Sequence, residues 1–183
     1  MSNHNICIIV GASVVVAEDF LFFVKKWRAQ DRELLLIAAD AGYQLFEDPK
    51  IAQLIQPDLV VGDFDSLGSV PSHPHIIRHP AVKDDTDLML AVREGLSQGY
   101  RQFAVFGGLG NRFDHSFANM QLLSFLQSRG ARGILFGDPM HMTTIRQGEL
   151  VFSEEFAGVI SVFALSQEAS GVNVQGLFYE LAD

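Results

Sequence analysis

Basic residues are scarce in this chain: 13 Lys and Arg stand against 22 Asp and Glu, for a formal net charge of −9. Nucleic acid and anionic membrane select for basic surface, so neither is expected as a main partner, and a small anionic substrate would need a metal ion beside the acids. Cysteine is scarcer still. Cys7 stands alone inside "NICIIV", which excludes an intrachain disulfide and a Cys-rich zinc site and predicts an apolar packing role in a reducing compartment. Long apolar runs are missing as well. "MSNHNICIIVGASVVV" lacks a basic start and is broken by Gly11, so it reads as a first core strand of a cytoplasmic protein rather than as a leader or a membrane span. Internal repeats, low-complexity segments and long linkers are absent.

What is present, in 183 residues of which 48% are hydrophobic and 19% charged, suffices for one good core or for one domain with a small companion. Short runs rich in Ile, Val, Leu and Phe alternate with segments of helical period up to Gly137, the pattern of an α/β fold with a largely parallel sheet and flanking helices. Strands are expected at Ile6–Val10, Leu34–Ala39, Leu59–Val61, Ile76–Arg78, Phe103–Phe106 and Gly133–Phe136. Helices are expected near Ala17–Arg28, Gly42–Glu47, Asp87–Gln98 and Asp114–Ser128. In the last of these Phe113, Phe117 and Met120 fall at helical spacing and read as core. After "GDPMHM" the helical pattern stops, and pieces such as Val159–Leu165 and Leu177–Leu181 predict a small β-rich domain over 138–183, following an α/β nucleotide-binding domain over 1–137.

Open parallel sheets bind ligands at the carboxyl ends of their strands. Those ends are acidic or glycine-rich: "LLLIAADAG" delivers Asp40, "LVVGDFDS" delivers Asp63 and Asp65, and "FAVFGGLGNRFDH" delivers Gly107, Gly108, Gly110, Arg112 and Asp114. In an extended strand, Asp63 and Asp65 share a face and converge. Two carboxylates so placed suit a divalent cation, and Asp63, Asp65 and Asp87 form a plausible partial shell for Mg²⁺. "KDDTD" also has a plainer reading, in which Asp84 and Asp85 cap the following helix. The three glycines of "GGLGNRFDH" allow close approach of backbone to phosphate at a helix start, where Arg112 could clamp it. Asp114 could instead be a simple N-cap. "IIVGASVVV" offers a second, weaker cradle. With no GxxxxGK[ST] stretch, ATP binding would not use a P-loop. His73, His75 and His79 cluster beside prolines and read as solvated loop residues, with zinc as the alternative. His115 adjoins the site.

The order of motifs, "AADAG", "PDLVVGDFDS", "KDDTD", "FGGLGNRFDH" and "GLFYEL", resembles the thiamine pyrophosphokinase family from about Ala38 to Leu181. The resemblance implies a homodimer and Mg²⁺-dependent transfer of diphosphate from ATP to the hydroxyl of thiamine, releasing AMP. It implies metal and phosphate roles for Asp40, Asp63, Asp65 and Asp87, with Asp84 and Thr86 in the helix-opening motif, and a nucleotide loop of Gly108, Gly110, Arg112 and Asp114. Asp114 or Asp40 would draw off the hydroxyl proton, and Phe178 and Tyr179 would offer thiamine an aromatic surface. Two departures stand out. "AADAGY" replaces a double glycine after the aspartate, and the chain stops at Asp183 where the family adds a strand with a Ser-Asn motif, so the acceptor pocket is expected to be incomplete. Competing readings are a diphosphokinase for another alcohol such as a hydroxymethylpterin, a metal-dependent phosphohydrolase, and a non-catalytic nucleotide-binding module.

Overall fold

The apolar runs Ile6–Val10, Leu34–Ala39 and Leu59–Val61 hold no polar residue and need cover on both faces, which a parallel sheet between helices supplies. The computed structural model describes residues 5–30, 32–80, 82, 84–110 and 112–182. Its strands are β1 (Ile6–Val10), β2 (Leu34–Ala39), β3 (Leu59–Gly62), β4 (Ile76–Arg78), β5 (Gln102–Phe106), β6 (Arg132–Phe136) and β7 (His141–Thr143). They form one sheet in the order β4-β3-β2-β1-β5-β6-β7, parallel throughout except that β7 runs antiparallel to β6. The helices are α1 (Ala17–Arg28), α2 (Pro49–Ala52), α3 (Asp87–Ser97) and α4 (Phe113–Ser128), with a 3-10 helix over Asp40–Glu47.

The period of two along the strands divides the core. Cys7, Ile9, Ile37, Val61 and Val105 pack with Leu88 and Val92 of α3 and Leu122 and Leu126 of α4. Ile8, Val10, Leu36, Val60 and Ala104 pack on the other face with Phe20 and Val24 of α1 and with Phe46. Cys7 is the apolar residue its surroundings predicted: it is fully buried, burial pushes its thiol pKa up, and a Cβ added at Gly95 of α3 would lie 2.8 Å from its sulfur. That glycine lets the helix sit directly on the strand.

The C-terminal part differs from its expectation. Two units separate between Gly148 and Glu149, and β7, inside the stretch assigned to the small domain, completes the large sheet through pairs such as Leu135 with Met142. Among the described residues from 149 onward there is no strand, only an isolated bridge between Val174 and Leu181. Val159, Phe163 and Leu165, from the piece that read as a strand, are exposed. β-propensity expresses fit to a half-buried pleated surface, so such pieces become strands only against a partner strand and a core.

Candidate active site

Strand order reverses between β1 and β5: the chain moves outward from β1 to β4 on one side, then crosses to β5 on the other. Such a switch point opens a crevice at the carboxyl ends. Its two walls are glycine loops packed on one another. Gly11 N–H donates to Phe106 O at 2.8 Å and Ser13 N–H to Gly107 O at 3.0 Å. A Cβ at Gly107, whose φ is +65°, would lie 2.4 Å from Gly11 O, and one at Gly110 would lie 2.4 Å from Ser13 Oγ. The weaker cradle after β1 and the stronger one after β5 are thus one construction. α3 closes on it from its first turn, since Leu88 Cδ1 would lie 3.1 Å from a Cβ on Gly11. This brings Asp87, the residue before Leu88, to the neighbourhood of the crevice.

The acids occupy the next strand ends. Oxygens of Asp40, Asp63 and Asp65 lie within 4.8 Å of one another. Their convergence does not come from an extended strand, because β3 ends at Gly62. Phe64 takes φ +67° with its ring buried, and Asp63 Oδ1 accepts from Asp65 N–H at 3.2 Å, so the two carboxylates meet across a tight turn. Asp40 also has positive φ, +46°, and is 6% exposed. Bare Gly62 lets it approach: a Cβ there would lie 3.1 Å from Asp40 Cα. Of the two residues after Asp40, only the second must be glycine. A Cβ at Gly42 would lie 2.1 Å from Val10 O, whereas Ala41 is accommodated half-buried, which explains how "AADAGY" dispenses with a double glycine.

The three-oxygen set fits a hard divalent cation. Asp40 Oδ1 is buried with no hydrogen-bond partner among the described residues, and an uncompensated buried carboxylate oxygen is costly unless a cation meets it. Asp87 lies outside this trio, half-buried in the first turn of α3. The cap of that helix is Thr86, whose Oγ1 accepts from Met89 N–H at 3.2 Å. Asp85 pairs with Arg93 at 2.8 Å, and Asp84 is exposed, so neither takes the capping position.

Arg112 occupies the N-cap position of α4 without capping through its side chain; instead it grips Asp114, with Nε 3.2 Å from Oδ1. The hydrogen bond from Arg112 holds the exposed Asp114 below the usual carboxylate range. The histidines do not gather as ligands among the described residues. Both ring nitrogens of His73 lie at hydrogen-bonding distance from carbonyls, Nδ1 at 2.9 Å from His75 O and Nε2 at 3.0 Å from Pro57 O. Phe178 lies in the second unit and is exposed.

Two residues were missed by sequence reasoning. Ser116 Oγ accepts from Gly110 N–H at 3.1 Å and donates to Gly110 O at 3.2 Å, and buried Asn119 Nδ2 donates to Gly108 O at 2.7 Å. These hold the glycine loop, and they explain a correction. Phe113 and Phe117 are 76% and 53% exposed rather than core, because α4 turns Ser116, Asn119, Leu122 and Leu126 inward to serve the loop. Met120 does pack against the core. The available signal was a polar Ser and Asn at i, i+3 in line with two leucines.

Residues 27–134 match the sequence model of the thiamin pyrophosphokinase catalytic domain, a span that holds Asp40, the Asp63–Asp65 turn, α3 and the glycine loop. The thiamine pyrophosphokinase of Bacillus subtilis (strain 168) is 28% identical over 158 residues, 82% of this chain and 72% of that protein. The crystal structure of thiamine pyrophosphokinase from Bacillus subtilis superposes with a TM-score of 0.53 and 25% identity, covering 72% of this chain and 60% of its own. Thiamin pyrophosphokinase from Candida albicans gives a TM-score of 0.54 at 18% identity over 73% and 58%, a likeness of fold. The chain therefore spans less than two thirds of either solved relative. No helix among the described residues is long and apolar enough to cross a membrane. With more than half of its residues matched, the chain belongs to the thiamin pyrophosphokinase catalytic-domain family.

Proposed function

We propose that the protein transfers the β,γ-diphosphate of ATP to the hydroxyl of thiamine, giving thiamine diphosphate and AMP. The observation that carries this reading is the convergence of Asp40, Asp63 and Asp65 beside the paired glycine loops at the switch point, within the matched span. The loops after β1 and β5 receive the phosphate chain through backbone, because no Cβ stands in the way. Asp40, Asp63 and Asp65 would hold Mg²⁺, with Asp87 in the first turn of α3 near the crevice. Bound there, the ion neutralises charge on the phosphates as it is redistributed in transfer. Ser116 and Asn119 fix the loop, and the chain's main contribution is placement of the acceptor hydroxyl in line with the β-phosphorus.

Asp114 aims the Arg112 fork toward the nucleotide in this reading, and Asp114 or Asp40 accepts the hydroxyl proton. Asp84 and Thr86 set the start of α3. Phe178 of the second unit is exposed and offers an aromatic ring to thiamine, and the working form is a cytoplasmic homodimer with no nucleic acid or membrane partner. Incubation with ATP, Mg²⁺ and thiamine should yield AMP and thiamine diphosphate in equal amounts, and only in the complete mixture. ATP consumed to ADP or phosphate without thiamine would overturn the assignment.

A further inference from the structure

The carboxyl end of β4 carries a cation that the family motifs leave unused. Arg78 is the last residue of that strand and pairs in register with Gly62, which places it beside the start of the acid turn. With Ser69 and His79 it lines a cavity of about 500 Å³ that Asp63 and Asp65 also line. Arg93 and Arg112 are each held by an aspartate, but among the described residues the Arg78 guanidinium makes no hydrogen bond or ion pair. One cavity therefore presents carboxylates suited to a divalent cation and a planar fork of donors suited to phosphate oxygens. A single ligand that satisfies both is a metal-bound oligophosphate.

We propose that Arg78 binds the diphosphate end of the nucleotide, the part that is transferred. Across the sheet the sequence of strand ends is glycine loops at β5 and β1, acids at β2 and β3, then Arg78 at β4. Three strand spacings, ~14 Å, separate β1 from β4. The triphosphate and the long arginine side chain together cover that distance, with the nucleoside at the switch point and the terminal phosphates toward β4. Charged residues on edge strands also serve to discourage edge pairing, and β4 is an edge. A guard of that kind has no reason to distinguish a triphosphate from a monophosphate.

This inference rests on the ATP-dependent reading above, so the test uses ligands that separate the two. Calorimetric titration of wild type, Arg78→Gln and Arg78→Lys with Mg²⁺–ATP, Mg²⁺–tripolyphosphate and AMP reads each contribution. Arg78→Gln should weaken ATP and tripolyphosphate by ~10- to 100-fold, the loss of a charge-assisted contact, and leave AMP affinity and melting temperature unchanged. Arg78→Lys should recover part of the loss. Equal ATP affinity in wild type and Arg78→Gln, or equal weakening of AMP, overturns the role of Arg78 and leaves the nucleotide reading standing. Wild type that binds no ATP overturns the nucleotide reading itself, and the inference with it. If Arg78→Gln lowers the melting temperature, the ratio of ATP to AMP affinity in Arg78→Lys decides by the same criteria.

Discussion

The loops after β2 and β3 place carboxylates where the backbone is least at ease, with Asp40 at φ +46° and Phe64 at φ +67°. Those after β1 and β5 carry glycine where the chain approaches itself, and neutral side chains, Ser116 and Asn119, tie down the one after β5. The acid side holds mutually repelling groups in a sparsely populated conformation, which persists only because the surroundings over-determine it. The glycine side keeps its backbone approachable and has little strain to hold. A cation site needs several charges forced together, whereas a phosphate site needs room and donors. In the proposed reading, the difference between the two sides follows from what each is to bind.

The largest break in this comparison is removal of a charge from the acid side. Asp63→Ala should lower turnover on the order of a thousandfold, with little loss of fold, because a lost metal ligand removes several kcal/mol of transition-state stabilisation. Wild-type turnover in this variant at ordinary Mg²⁺ would show that the turn is structural. The next break tests strain against burial. Phe64→Ala should cost ~3 kcal/mol of stability through the lost ring, and denaturant titration reads it. Phe64→Gly should be more stable than Phe64→Ala by ~1 kcal/mol, the reverse of the usual order of these residues, because glycine alone takes the left-handed conformation without cost. Alanine equal to or better than glycine would mean that the turn relaxes once the ring is gone.

On the glycine side, Asn119→Ala should cost ~1–3 kcal/mol, since it leaves the Gly108 carbonyl without its buried donor. Nucleotide binding should weaken in parallel while Mg²⁺ binding alone should not. If both ligands weaken equally, the two sides are coupled through the core and not independently held.

The strands were legible because their residues read the same at every level: β1, β2, β4 and α1 fall at their expected bounds, and β5 and β6 within a residue. That acids stand at the ends of β2 and β3 was likewise legible, but the shell read from the sequence took Asp87 with Asp63 and Asp65, whereas the structure clusters Asp40 with that pair. The geometry by which Asp63 and Asp65 meet was not legible, because nothing in "GDFDS" announces a phenylalanine with positive φ. Helical spacing gave α4 a Phe113–Phe117–Met120 stripe but could not tell which stripe faces the sheet. That choice was made by the hydrogen-bonding needs of the loop, a tertiary demand that overrides hydrophobicity at Ser116 and Asn119. β7 is short and depends on β6 for its pairing, so its three residues had no period to display.

The smallest expected effect sharpens the comparison at the join between loop and α4, where Arg112 and Asp114 are the charged pair on the glycine side. Asp114 has a folded-state pKa held below its ordinary value, first by the hydrogen bond from Arg112. The pair's favourable contribution is therefore complete above the unfolded carboxylate pKa of about 3.9 and fades as pH falls through the lower folded value. Both side chains are exposed, so solvent screens the pair and its share of stability is small. Asp114→Asn should leave the melting temperature nearly unchanged at neutral pH, and the small difference from wild type should begin to shrink below about pH 4 and vanish only below the lowered folded-state value. If Asp40 takes the hydroxyl proton, the acid limb of the kcat profile should keep its position in Asp114→Asn. A loss of the limb together with a ~10²- to 10⁴-fold fall in kcat would instead make Asp114 the proton acceptor and move the chemistry from the acid side to the glycine side.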